Sequence, residues 1–442
     1  MVSIQVKKSR ISGTVRCPSS KSYTHRALAI ASLAAGESTI TNALLARDTL
    51  ATLACCRALG AAIEGRREGR AVQVRGRHGS FEPPENVLNC ENSGTTIRIM
   101  TAMAGLVKKG HTVLTGDESL RRRPMQPILD ALGPLGVEAY STRENGAPPL
   151  VVRGGGIKGG MTLIDGSVSS QFISGLLIAG IYANSEITLK IKGDLVSKPY
   201  VKATLATMAS FGVKVDHDPG MLEYRIRNAQ YRPSRFDVPS DFSTAALILS
   251  AGVLAGGDRL KVKGLNFDLP QGDSQIIEIM ERMGCAIKAD RAKGEVVVHG
   301  IDAGEGLPLE GGDFDLADTP DLLPVVSILA LKAKGRVKIT GVAHARVKET
   351  DRVANIAREL AKLGAGVEEF QDGLTISAPK KLKNASLEAY NDHRLFMAFT
   401  IAGMMTEKSI VAGAESVDVS YPNFVPDMKA LGARLAPMPD RE

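Results

Sequence analysis

Between residues 346 and 352 the chain reads Arg346-Val347-Lys348-Glu349-Thr350-Asp351-Arg352. A Lys, a Glu and two Arg within seven residues supply a proton-transfer pair beside guanidinium forks that match phosphate. The same spacing also fits a solvated helix start laced by i, i+3 pairs. Six other places concentrate polar groups ahead of apolar runs. They are Lys21-Ser22 with Arg26, Asn92-Ser93-Gly94-Thr95 with Arg98, Ser169-Ser170-Gln171, Ser240-Asp241, Asp318-Thr319-Pro320-Asp321, and Asp392-His393-Arg394. Ser, Asn, Asp and Thr are the preferred helix N-caps, and capping alone accounts for them. It does not account for Lys21, Arg26, Arg98 and Arg394, because a cation in the first turn opposes the positive end of the helix dipole. A multiply charged anion binding at such helix starts would resolve that conflict. The Gly116-Asp117 to Arg121-Arg122-Arg123-Pro124 loop adds further positive charge.

The elements that position these groups recur. Apolar helical runs close on Gly60, Gly136, Gly212, Gly284, Gly364 and Gly432, at spacings of 76, 76, 72, 80 and 68 residues. A glycine just past the last apolar turn is a helix-stop signal. The polar helix starts form a second series in step with the first. Short alternating strands such as HTVLTG and RVKITG lie between the two helices of each unit. Six units of this size predict two lobes of three. Pro233 and Pro239 place the boundary, which gives a first lobe over 16–237 and a second over 1–15 plus 238–442. The chain would cross twice, near 14–19 and 235–240, with the N-terminal strand completing the second lobe.

Composition narrows the class. Hydrophobic residues are 44%, charged residues 23% and aromatics 4%, with no Trp. This excludes a disordered or fibrous chain and predicts a core of small aliphatics. No apolar run approaches the ~18 residues of a membrane helix. The net charge of +7 is mild and unaccompanied by aromatic clusters, which favours small anionic substrates over nucleic acid. Five cysteines without C-x-x-C spacing indicate neither a disulfide framework nor a zinc knuckle. The N-terminus reads as a strand and not a signal peptide, so a cytoplasmic protein is expected.

The stretches PSSKSYTHRALAIASLA, NSGTTIRIM, GDESLRRRPM, DGSVSSQFISGLL, FDLADTPDLLPV, ARVKETDR, NDHRLFMAF and SYPNF resemble, in order, those of the 5-enolpyruvylshikimate-3-phosphate synthase family. The resemblance implies an α/β fold with two lobes, each of three βαβαββ repeats, described as inside-out α/β barrels. It implies transfer of enolpyruvyl from phosphoenolpyruvate to the 5-hydroxyl of shikimate 3-phosphate, with no metal or cofactor, by a monomer. Residue by residue, it implies shikimate 3-phosphate contacts at Lys21, Ser22, Arg26, Ser169, Ser170, Gln171, Ser197, Asp321 and Lys348. It implies a phosphoenolpyruvate cradle of Lys21, Gly94, Arg123, Gln171, Arg352 and Arg394. Asp321 would take the hydroxyl proton, while Glu349 and Lys21 are candidates for proton transfer at the methylene carbon. The family's inhibitor glyphosate would occupy the phosphoenolpyruvate side.

Two positions depart from the family pattern. Val419 stands where Lys is common, and His344 where Asn is usual, so protonation of His344 would make binding pH-dependent. The sister enzymes that act on UDP-N-acetylglucosamine carry Lys-Asn near the first helix and usually a loop Cys. Here Ser22 follows Lys21, and Gly116 to Pro124 holds no Cys, although it does hold Asp117, and an Asp sometimes replaces that Cys in the sister enzymes. A non-enzymatic or RNA-end-binding repeat protein would not need Asp321, Glu349 and Lys21 together.

Overall fold

A computed structural model describes residues 2–66, 71–301 and 309–438. The chain divides into two compact units, one of residues 19–239 and one of 1–18 plus 240–442. Among the described residues, no helix is long and apolar enough to cross a membrane.

Each unit contains three copies of one arrangement. In the second repeat, strand Leu88–Asn89 runs parallel to His111–Thr115, which pairs antiparallel with Leu150–Arg153, which pairs antiparallel with Ala139–Ser141. Among the described residues, all six sheets have four strands in this order. The ends of the crossing segments supply the missing strands. Arg235–Asp237 lies parallel to Glu37–Thr41 and starts the first repeat's sheet. Ile11–Arg16 does the same for Gly256–Lys263 in the fourth. Ser3–Lys7 inserts between Lys408–Ala412 and Arg434–Pro437 in the sixth. The N-terminal segment thus ties two repeats of its unit together. Among the described residues, the sheets stay separate and none closes on itself.

The first helix of each repeat forms the core. All residues of Gly94–Ala104, Phe242–Leu254 and His393–Gly403 are buried, as expected of helices that are apolar on every side. Strands such as His111–Thr115 alternate between buried and more exposed positions, so each sheet covers helices with one face and meets water with the other. The second helices are Arg47–Ala58, Gln126–Leu132, Lys198–Ser210, Ile276–Arg282, Arg352–Lys362 and Phe424–Ala430. Each is followed within four residues by one of the six repeating glycines, whose φ lies between 79° and 109°. Only glycine adopts that conformation without strain, which is why the spacing was visible.

Two expected helix starts differ. The first helix, Lys21–Leu33, is capped by Ser20 and not Ser22. The fifth begins as a tight 3-10 turn, Pro320–Leu322, before the short helix Leu323–Leu329. Pro320 and Pro324 lack the N–H that a longer regular helix would use.

Candidate active site

In the unit of residues 19–239, neutral caps and cations meet at helix N-termini. Ser93 accepts from Thr96 N, and Ser169 accepts from Gln171 N. Neither helix carries an acid in its first turn. Arg98, one turn into Gly94–Ala104, donates to Gln171 Oε1 at 2.7 Å, and Gln171 Nε2 donates to Thr95 Oγ1 at 2.9 Å. Arg123 is buried and donates to Asn92 Oδ1 at 3.0 Å. A Cβ added to Gly94 would lie 2.8 Å from Arg123 Nη1 and 3.2 Å from Arg98 Nη1. Gly94, Arg98, Arg123 and Gln171 therefore converge on one helix start, where free N–H groups and two guanidiniums suit an anion. Ser197 has a left-handed backbone, φ 57°, immediately before the Lys198–Ser210 helix. Such a conformation in a non-glycine residue costs energy of order 1–3 kcal/mol and is held by its surroundings.

Lys21 and Arg26 are more engaged than the sequence indicates. Lys21 Nζ bonds Asp48 Oδ2 at 2.9 Å. Asp48 is a site residue that sequence reasoning missed. Arg26 is 1% exposed. It donates to Thr204 Oγ1, the Ser22 carbonyl, the Tyr200 carbonyl and Ser174 Oγ. Four of its five N–H donors thus lock three helices together. Burial is also what lowers its pKa to about 10.

In the unit of residues 1–18 plus 240–442, three carboxylates gather on one arginine. Arg352, also 1% exposed, donates from Nη1 to Asp321 Oδ1 at 2.7 Å, from Nη2 to Glu349 Oε2 at 2.8 Å, and from Nε to Asp392 Oδ2 at 2.7 Å. Arg394 Nη2 reaches the other Asp321 oxygen at 2.9 Å. Burial alone would lower the Arg352 pKa, but Asp392, Glu349 and Asp321 raise it, so the guanidinium stays charged. Asp392 also caps its helix, accepting from Arg394 N at 2.8 Å. Asp273 is a further carboxylate that the sequence did not mark. It accepts a hydrogen bond from Ser243, and burial followed by the Asp321 charge lifts its pKa to about 7.

The 346–352 stretch divides its labour. Arg346 turns away to Asp351 and Glu369 and to the carbonyls of Phe370 and Gln371. It anchors one end of the loop while Arg352 anchors the other. Lys348 and Glu349 lie between them, each partly exposed. His344 is buried, and desolvation together with Lys348 lowers its pKa to about 3. The ring is therefore neutral at physiological pH, which corrects the expectation of a pH switch there. Val419 is buried, with no charge to contribute. Among the described residues, no cluster of His, Cys, Asp or Glu is placed to hold a metal ion. All five cysteines are buried free thiols.

Chemically, one unit offers donors for phosphate or carboxylate at helix starts, and the other offers three acid side chains braced by arginines. Comparison with known proteins identifies the family. The family profile of EPSP synthase (3-phosphoshikimate 1-carboxyvinyltransferase) matches residues 6–428. The 3-phosphoshikimate 1-carboxyvinyltransferase of Nitrosopumilus maritimus is 47% identical over 98% of this chain and 99% of its own length. That of Methanocaldococcus jannaschii is 43% identical over 97% and 98%. Among solved structures, EPSP synthase from Acinetobacter baumannii superposes with a TM-score of 0.82 at 26% identity, covering 99% of this chain and all of that one. The enolpyruvyl transferase NikO from Streptomyces tendae, 18% identical with a TM-score of 0.77 and covering 99% of both chains, shares the fold. With a profile match over nearly its whole length and relatives this similar end to end, the chain belongs to the EPSP synthase (3-phosphoshikimate 1-carboxyvinyltransferase) family.

Proposed function

We propose that this enzyme transfers the enolpyruvyl group of phosphoenolpyruvate to the 5-hydroxyl of shikimate 3-phosphate and releases phosphate. Beyond family membership, the observation that carries this reading is the cluster of Asp321, Glu349 and Asp392 on Arg352. An anion-binding protein has no need of acid side chains at its cationic site, whereas addition–elimination on an enol phosphate does.

The chemistry proceeds in two stages. A proton is delivered to the terminal carbon of phosphoenolpyruvate, so its central carbon becomes electrophilic. The acceptor hydroxyl adds there as its own proton departs, giving a tetrahedral intermediate. A proton then leaves the new methyl group, the double bond re-forms, and phosphate departs. Asp321 takes the hydroxyl proton. Its two oxygens are each held by a guanidinium, which fixes the carboxylate's orientation. Glu349 and Lys21 are the candidates for the carbon proton transfers, and positioned groups of this kind supply ~10²–10⁴-fold each. Arg123, Arg352, Arg394 and the Gly94 helix start, with Gln171, hold phosphoenolpyruvate and its departing phosphate. Ser22, Arg26, Ser169, Ser170, Gln171, Ser197 and Lys348 receive the sugar phosphate. The Arg26 contact uses the one N–H not already bonded within its unit.

The enzyme works as a monomer in the cytoplasm, without metal or cofactor. Following phosphate release from phosphoenolpyruvate with shikimate 3-phosphate, and separately with UDP-N-acetylglucosamine, tests the assignment. Release with the first acceptor alone is expected. Release with the second alone would move this chain to the sister activity.

A further inference from the structure

A cavity of about 720 Å³ opens at the opposite end of the central helices in the unit of residues 1–18 plus 240–442. Its wall includes Leu254, at the C-terminus of Phe242–Leu254, and Met404, just past His393–Gly403. These helices are 13 and 11 residues long and rise ~1.5 Å per residue. The cavity is therefore roughly 16–20 Å from the helix starts near Asp241 and Asp392. It is separate from the site described above.

Four basic side chains line it, Lys8, Arg10, Lys332 and Arg434, against one acid, Glu407. Among the described residues, none of the four has a carboxylate within ion-pair distance, and neither does Glu407 have a cation. Cations are often found at helix C-termini as partners for the last carbonyls. Here those carbonyls are already met by backbone. Ser9 N donates to Met404 O at 3.0 Å, and Ile11 N to Ala255 O at 2.7 Å. The negative dipole ends contribute only about half a charge each, which does not offset three net positive charges. Met405, partly exposed, adds an apolar side chain to the wall, with Leu254 and Met404 buried behind it, and methionine adapts to varied shapes.

We propose that this cavity is a second ligand site, for a small ring-bearing organic anion with two or more negative charges. Two carboxylates spaced across a ring would each meet a guanidinium, Arg10 or Arg434, with the ring against Met405 and the buried Met404 methyl just behind it. The segment carrying Lys8 and Arg10 links Ser3–Lys7 in one sheet to Ile11–Arg16 in another. An occupant would thus bridge two repeats.

The test uses the full-length protein labelled with ¹³C at methionine methyls, with Met404 and Met405 assigned by single Leu substitutions. Isophthalate is the probe, and benzoate is the single-charge control. Isophthalate should shift the Met404 and Met405 methyls saturably, about tenfold more tightly than benzoate, and more weakly as salt rises. Arg10→Gln with Arg434→Gln should weaken it by about tenfold or more. Met100 and Met103, in the Gly94–Ala104 helix of the other unit, report binding elsewhere and should not respond to these variants. Should that pair fail to fold, Lys8→Gln with Lys332→Gln carries the same expectation. No saturable shift at either methionine, equal affinity for benzoate, or unchanged binding in a folded double variant would overturn the proposal.

Discussion

Gly94→Ala separates anion binding from folding. The new methyl would lie 2.8 Å from Arg123 Nη1 and 3.2 Å from Arg98 Nη1. Ordinary contact needs about 3.5 Å, so the Arg123 guanidinium must retreat by about 0.7 Å. Its bond to Asn92 is 3.0 Å, and such a shift stretches it past hydrogen-bond length unless Arg123 re-aims. Either way a donor directed at the helix start is misplaced. A hydrogen bond to a charged group contributes about 1.5–3 kcal/mol. The KM for phosphoenolpyruvate should therefore rise roughly 10- to 150-fold, and glyphosate inhibition should weaken with it. Alanine is the better helix former by up to ~1 kcal/mol, so the melting temperature should stay within a few degrees. Steady-state kinetics with phosphoenolpyruvate varied at saturating shikimate 3-phosphate, beside a thermal melt, give both readouts. An unchanged KM and undiminished glyphosate inhibition in the folded variant would refute the placement of phosphoenolpyruvate at this helix start.

Three further outcomes follow from the second cluster. Glu349→Gln should cut turnover ~10²-fold or more while substrate binding stays within about tenfold; wild-type turnover would remove Glu349 from the proton transfers. Burial and the Asp321 charge raise the Asp273 pKa from its ordinary 3.8 to about 7, so the folded state holds an extra proton between those values and loses stability as pH rises through them. Asp273→Asn should flatten that slope and stabilise the protein at pH 8 relative to pH 4 in urea titrations. A parallel slope in the variant would contradict it. His344 has the opposite sign. Its pKa falls from 6.5 to about 3, so its contribution is complete above pH 6.5 and is lost as pH falls toward 3. His344→Asn should reduce acid sensitivity in that window and leave the pH–rate profile above pH 7 unchanged; an altered profile there would show that the ring titrates during turnover.

The repeat was legible because its signals are local. Each second helix is followed by a glycine that must adopt positive φ, and each first helix opens on a residue that can cap. Neither signal depends on distant packing. Partners distant in sequence were not legible. Asp48 meets Lys21 across 27 residues, and Asp273 meets Ser243 across 30. Gln271 reaches back to accept from Phe242 N at the start of its helix. No spacing rule marks such residues, because they matter only once helices pack. Arg26 and Arg346 show the converse. Their types and positions suggested ligand binding, yet most of their donors serve helix packing or loop anchoring. The polar start at Asp318 to Asp321 leads first into a 3-10 turn and then a short helix, because Pro320 and Pro324 favour a tighter first turn that the apolar pattern does not reveal.

The most direct measurement runs the reaction in D₂O and follows the vinyl product by mass spectrometry and proton NMR. Addition–elimination passes through a methyl group that gains one solvent deuteron and then loses one of its three hydrogens. The account predicts deuterium in the product's methylene group, one phosphate released per phosphoenolpyruvate consumed, and neither signal without shikimate 3-phosphate. Product formed at full rate with no deuterium in its methylene would mean that the terminal carbon is never protonated, and that the acid–base role assigned to Glu349 and Lys21 is wrong.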